Sequence, residues 1–174
     1  MSDGGKFWGK FRGTVVNNID PEQRGRLLVT VPDVLTLVPS TWAEPCTPLA
    51  GPTGPPMGVY LVPPIGAGVW IEFEQGDPDY PIWVGCYWGS AAEVPVLART
   101  VPPAVPGVTV QTTLQNGITI NDVPGPLGGI MLKSATGATL IVNDTGIYIQ
   151  NGKGASVIMV GPSVTINNGA LTII

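Results

Sequence analysis

Four carboxylates stand at spacings that acid–base chemistry uses. Glu72 and Glu74 lie two residues apart in segment 68–74, where strand alternation puts both on one face with carboxylates within about 7 Å. Asp77 and Asp79 flank Pro78 in a turn. A glycosidase places two such groups about 5–10 Å apart across a cleft. Nothing in the neighbouring sequence marks a second substrate wall, so the pairs read as a solvated strand face and as turn capping. Their spacing also fails to match a calcium loop. Histidine is absent altogether. That removes the Ser-His-Asp and Cys-His nucleophile systems, the HExxH metalloproteases and nearly every catalytic zinc site. The expectation is a binding or structural protein with no catalytic residues, no metal and no cofactor.

Trp42, Trp70, Trp83, Tyr87 and Trp88 form a second candidate set, because aromatic rings stack bases in nucleic-acid grooves. That use needs interleaved Lys and Arg, and residues 45–98 contain neither. A net charge of −4 also argues against a protein that tracks phosphates. The rings are therefore assigned to core and interface packing. Gly66 and Gly68 precede a strand rather than a helix and make no phosphate cradle. Cys46 and Cys86 sit in apolar company and are expected as buried free thiols. Residues 1–14 hold Lys6, Lys10 and Arg12 but no apolar stretch of signal-peptide length, which predicts synthesis in the cytoplasm. Prolines interrupt the uncharged run 45–71, and Pro162, Asn167 and Asn168 interrupt 154–174, so neither reads as a membrane span.

The framework that carries these residues reads as strands. Only 11% of the 174 residues are charged and 44% are hydrophobic, while 24 glycines and 19 prolines argue against long helices. Sixteen of the twenty charges and eleven of the twelve aromatic residues fall in 1–100. Segment 94–108, with prolines at 95, 102, 103 and 106, reads as a stiff extended linker. Before it, Phe11–Asn17, 26–31, 58–62, 68–74 and 81–88 read as short strands divided by turns, the strand at 26–31 stopping at Pro32. Five or six short strands in under 90 residues predict a small closed barrel, since closure removes exposed edges.

From residue 114 the chain repeats β-branched segments of about six to nine residues, each followed by glycine with Asn, Asp, Ser or Pro: LQNGITIN, GIMLKSATG, ATLIVNDTG, IYIQNGKG, ASVIMVGPS, VTINNG, ALTII. A single-chain solenoid encloses its core with coils of about 20 residues. Segments this short close one side of a prism, and the other sides must come from further chains, three being the smallest closed number. Ile118, Ile120, Leu140, Val142, Ile147, Ile149, Val164 and Ile166 are the residues expected to face a three-fold axis. In Leu140-Ile-Val and Val157-Ile-Met-Val both parities are apolar, and alternation does not settle which side faces in.

The residues now carry a resemblance. Gly13-Thr-Val-Val, Ile19-Asp-Pro-Glu-Gln-Arg-Gly-Arg-Leu-Leu-Val-Thr-Val-Pro, Trp42-Ala-Glu-Pro and the run from Pro64 to Gly85, with its Gly-Asp-Pro-Asp-Tyr-Pro core, resemble the OB-fold domain of contractile-tail spike proteins. These are the phage baseplate assembly protein V group and the valine-glycine-repeat spikes of type VI secretion. The motif positions are Gly25, Arg26, Pro32, Trp42, Gly66, Gly76, Asp77, Pro78, Pro81 and Gly85. Members continue into an intertwined trimeric β-helix, in agreement with the independent reading of 108–174.

The resemblance implies an all-β protein: an OB-fold barrel over 1–93, a proline-rich linker over 94–107 and a trimeric β-helix needle, or β-prism, over 108–174. It implies a non-enzymatic homotrimer, assembled into a phage-tail or injection-particle baseplate. The partners would be a hub protein at the barrel, a small conical tip protein of the proline-alanine-alanine-arginine type at the far end, and transiently the target membrane, with no nucleic acid. Leu171, Ile173 and Ile174 are the expected tip-docking residues, because the last charge is Lys153 and the end is apolar. Some relatives insert a muramidase domain between barrel and needle, and here only the linker stands there. Two rival readings are an OB-fold nucleic-acid or carbohydrate-binding module with a β-rich oligomerisation tail, and a hydrolase built on Glu72 and Glu74.

Overall fold

A computed structural model of the chain describes residues 2–3 and 5–173. The chain divides into two compact units, Met1–Ala91 and Ala92–Ile174.

The first unit begins with a small hairpin of β1 (Ser2–Asp3) and β2 (Lys6–Phe7). In β3 (Phe11–Asn17), Gly13 and Val15 are buried while Arg12, Thr14 and Val16 face outward. This strand pairs antiparallel with β4 (Leu28–Thr30) on one side and β6 (Gly68–Phe73) on the other. Pro32 ends the β4 run and opens α1 (Pro32–Leu35), where a fixed φ and a missing N–H suit a first helical turn. Next, β5 (Glu44–Pro45) runs parallel to β7 (Pro81–Tyr87), and β7 pairs antiparallel with β6. The order is β4-β3-β6-β7-β5. Leu27 and Ala43, which adjoin β4 and β5, exchange backbone hydrogen bonds of 3.1 and 2.8 Å and close the sheet into a barrel. Inside lie Val15, Leu27, Val29, Val31, Ala43, Val69, Ile71, Phe73 and Trp83. Phe7 of the hairpin joins them edge-on to Phe11 at 6.2 Å.

Residues 58–62 do not form the expected strand. One bridge, Ala50 to Gly58, is all that pairs there, because prolines at 55, 56, 63 and 64 remove backbone donors on both sides. Glu74 is not on the strand face with Glu72 either. It begins a single 3-10 turn, Glu74–Gly76, that follows β6. The thiols are corrected as well: Cys46 and Cys86 are both exposed. Cys46 follows the last residue of β5, and Cys86 lies near the end of β7, past its register irregularity, where the barrel interior runs out.

The second unit is an antiparallel meander of eight strands in sequence order. They are β8 (Gly107–Gln111), β9 (Gly117–Asn121), β10 (Gly129–Lys133), β11 (Thr139–Asn143), β12 (Gly146–Gln150), β13 (Ser156–Val160), β14 (Ser163–Ile166) and β15 (Leu171–Ile173). Asparagine holds the turns through its side-chain oxygen. Asn143 Oδ1 accepts from the N–H of Thr145 and Gly146, and Asn151 Oδ1 accepts from Lys153 and Ala155. The recurring Asn is thus a local substitute for ladder bonding at strand ends. The segment before β8 departs from an extended spacer. Ala98–Thr100 is a 3-10 turn, Leu97 is buried, and the Leu97 N–H donates to Gln111 Oε1 at 3.0 Å. A Cβ on Gly117 would lie 2.6 Å from the Leu97 side chain, so the glycine leaves the room that Leu97 fills.

Candidate functional site

The Asp20–Arg26 loop gathers the first half's motif into a buried clasp. Asp20 Oδ1 accepts from Arg26 Nη2 at 2.7 Å and Nε at 3.1 Å, and from the Glu22 N–H at 3.0 Å. Its other oxygen accepts from the N–H groups of Arg24 and Arg26 at 2.8 and 3.2 Å. The Arg26 guanidinium lies over the Trp42 ring at 5.6 Å, and Trp83 Nε1 donates to the Gly25 carbonyl at 3.0 Å. Asp20 thus fixes Arg26, which covers Trp42, while Trp83 ties Gly25 to the core; Asp20 was not among the motif positions singled out from sequence. The Asp-Pro pair at 20–21 was the available signal, since aspartate ahead of a turn accepts from the N–H groups that follow it.

The Arg26 side-chain hydrogen bond, helped by the three backbone N–H groups and opposed by desolvation, holds the Asp20 carboxyl far below the usual carboxylate range. Its stabilisation is thus complete above the unfolded carboxylate pKa of about 3.9 and is lost as pH falls towards the lower folded value. Urea midpoints of the barrel should separate wild type from D20N widely at about pH 7 and narrowly at about pH 2.5. Equal separation at both would show that the clasp contributes nothing through ionisation.

Of the four carboxylates first singled out, Glu74 and Asp79 line one shallow depression with Glu44, and Glu72 and Asp77 lie outside it. Glu72 is paired with Lys10 on the outer barrel face, and Asp77 lies 3.6 Å from Lys6. Asp77 Oδ1 accepts from the Asp79 N–H at 3.1 Å, and the Asp79 carbonyl accepts from the Thr41 hydroxyl at 2.7 Å. Among the described residues no group of three or more acidic or thiol side chains is placed to hold a metal ion, and no helix is long and apolar enough to cross a membrane. The aromatic set separates: Trp83 is buried in the core, Trp88 is exposed, and Trp70 packs on Tyr87 at 5.1 Å. The Arg12 guanidinium covers both of the last two rings, at 5.3 and 4.9 Å. It comes from β3, so the cation missing from residues 45–98 arrives through strand pairing.

The remaining motif residues hold turns, a strand start and the irregularity between β6 and β7. Gly66 donates to the Val15 carbonyl at 2.8 Å, Pro81 is buried at the start of β7, and Gly85 pairs with Trp70 beside the irregularity in β6–β7. Gly76 has φ +75° and sits against Lys6, Phe7 and Trp8. Pro78 lies in the turn that the Tyr80 N–H closes onto the Asp77 carbonyl at 3.0 Å.

The largest chemical feature is one face of the meander. Residues directly opposite in an antiparallel ladder share a face. The register gives two unbroken rows, Val108–Ile120–Ile130–Val142–Ile147–Met159–Val164–Ile173 and Val110–Ile118–Leu132–Leu140–Ile149–Val157–Ile166–Leu171. All sixteen side chains are apolar and none is buried. The eight residues expected to face an axis all lie in these rows. The eight others were not expected at the axis, and two of them, Leu171 and Ile173, were expected to dock a tip protein. Ile174 lies outside the described residues. The central row of the opposite face reads Thr109, Thr119, Met131, Ile141, Tyr148, Ile158, Thr165. Covering the apolar face would stabilise by on the order of 1 kcal/mol per side chain, and among the described residues of the second unit no element lies over it.

A closed five-stranded barrel in the first unit and a sheet with an uncovered apolar face in the second define a class of protein: a β-barrel module carried by an oligomerising β unit. Residues 11–88 match the family model for the type VI secretion system/phage-baseplate injector OB domain. Residues 107–172 match the phage baseplate V C-terminal trimerisation domain. The chain belongs to the phage baseplate V family of structural baseplate and spike proteins. The trimerisation match spans all of the sixteen apolar residues but Ile173, and the assembly it supports is a homotrimer associated with the baseplate. No curated protein matches the chain.

Proposed function

We propose that three copies of this chain form the central, non-enzymatic spike of a contractile injection system. The observation that carries this reading is the pair of apolar rows, uncovered in one chain and lying in the segment that matches a trimerisation domain. Three such sheets wound about a three-fold axis cover one another and make an intertwined β-prism. Eight strand steps at ~4.8 Å give a needle about 40 Å long. Its inter-chain ladders fail only in concert, although each hydrogen bond is worth ~1 kcal/mol net. Four charges in residues 101–174 suit transient passage through a bilayer better than a charged surface would. The barrel seats the trimer on the hub, and a small conical tip protein covers the far end near β15. Leu171 and Ile173 point with the apolar rows, so tip docking draws on the main chain there more than on those two side chains.

Native mass spectrometry at micromolar concentration should report three chains, and a monomer overturns the reading. Particles assembled around the intact spike should release dye from target-envelope vesicles on contraction, and a spike that docks normally yet releases none would remove the piercing role. The Arg12–Trp70–Tyr87 stack favours a second reading, an oligonucleotide- or sugar-binding barrel. Salt-dependent oligonucleotide binding by the purified trimer, lost in R12A, would establish it. Clearing of peptidoglycan in a zymogram, abolished by the E72Q/E74Q pair, would restore the hydrolase.

A further inference from the structure

Residues 46–71 contain no charged side chain, and much of their apolar surface stands in water on the barrel unit. Leu49, Met57, Tyr60, Leu61, Val62 and Ile65 are each between 40% and 63% exposed. The segment is nonetheless held in place. The Gly51 N–H donates to the Met57 carbonyl at 2.7 Å and the Val59 N–H to the Leu49 carbonyl at 3.0 Å, which makes a short hairpin-like ledge. Asn18 Nδ2 donates to the Pro63 carbonyl at 2.9 Å and ties its base to the loop after β3. An ordered, uncharged, apolar ledge of this extent is unusual on a surface that stays in water.

We infer that the ledge packs against the same ledge of the other two copies, giving the trimer a second contact at its barrels. The inference rests on the trimer reading and adds a surface to it. Nine residues, 88–96, separate β7 from the buried Leu97 of the second unit. A connection that short holds the three barrels of one trimer at about millimolar local concentration, so weak self-affinity suffices. Three-fold symmetry brings like groups together only at its axis, and a charged patch there would repel its own copies. This ledge has no charge to repel. Its backbone is already ordered in the single chain, which lowers the entropic cost of association.

Tyr60 and Tyr80 supply an internal comparison, being the same residue type at 63% and 62% exposure in the single chain. Hydroxyl-radical footprinting of the purified full-length protein, with no other chain added and its mass checked first, reads both rings together. Tyr60 should oxidise several-fold more slowly than Tyr80 in the intact trimer. L61D should bring Tyr60 up to the rate of Tyr80 while native mass still reports three chains. Equal oxidation of the two rings in an intact wild-type trimer overturns the ledge contact and leaves the surface to a different partner. Continued protection of Tyr60 in L61D overturns it too. A monomeric mass, by contrast, would mark failure of the trimer itself.

Discussion

Leu140→Asp should abolish the trimer, while Ile141→Asp, one residue along the same strand, should leave it intact. The two side chains belong to opposite faces of β11. Leu140 lies in an apolar row between Leu132 and Ile149, and Ile141 lies between Met131 and Tyr148 on the other face. The two positions are neighbours in one central strand, so the cost of aspartate at each is set by the face its side chain occupies. What differs is the surroundings. At position 140 a three-fold assembly buries three carboxylates among aliphatic side chains, at an effective penalty of several kcal/mol per ion. A penalty of that size removes the trimer at micromolar concentration. Native mass should then report single chains or aggregate for L140D and three chains for I141D. The reverse result would turn the sheet over and place Met131, Ile141, Tyr148 and Ile158 at the axis.

Gly76→Val should unfold or severely weaken the barrel, while Asp79→Asn leaves it nearly unchanged. Gly76 adopts φ +75°, which costs an L-residue about 1–2 kcal/mol and is least tolerated by a β-branched one. An added Cβ would also lie 3.1 Å from Lys6 Cβ, 3.1 Å from the Trp8 ring and 3.2 Å from the Phe7 nitrogen. The new side chain therefore pushes directly on the N-terminal hairpin that carries Phe7 into the core. A combined loss of about 3 kcal/mol lowers the melting temperature of a barrel this size by roughly 12–24 °C. Asp79 takes part in the turn through its backbone N–H and carbonyl, which asparagine preserves. Its substitution should stay within about 0.5 kcal/mol. Near-UV circular dichroism separates the barrel from the second unit, because eleven of twelve aromatic residues lie in 1–100. A silent G76V would show that the hairpin and turn are dispensable to the fold.

Much of this architecture was legible in the order of residues. Phe11–Asn17 was read with its observed bounds, and β6 and β7 to within one residue, because their apolar positions alternate and Gly or Pro stands at the ends. The lack of histidine and the short repeating β segments already pointed away from catalysis and towards an oligomer. The strand expected at 58–62 does not form, for a local reason. Met57 to Val62 has strand-like composition, but the flanking prolines deny it partners, and composition does not record which donors are missing.

Residue order alone establishes the all-β class, the change of character near residue 100, the main barrel strands and the alternating apolar residues of β9 and β14. The faces of Thr139–Asn143 and Ser156–Val160 follow from strand pairing instead. In Leu140-Ile-Val and Val157-Ile-Met-Val every position is apolar, so a period of two carries no information, and the register against neighbouring strands sets which side chains join the rows. The same holds for Asp20 with Arg26 and Trp42, and for Arg12 over Trp70 and Tyr87. Alternation is a property of one strand. Which strand lies beside it, and in what register, is fixed by hydrogen bonds and burial between segments far apart in the chain.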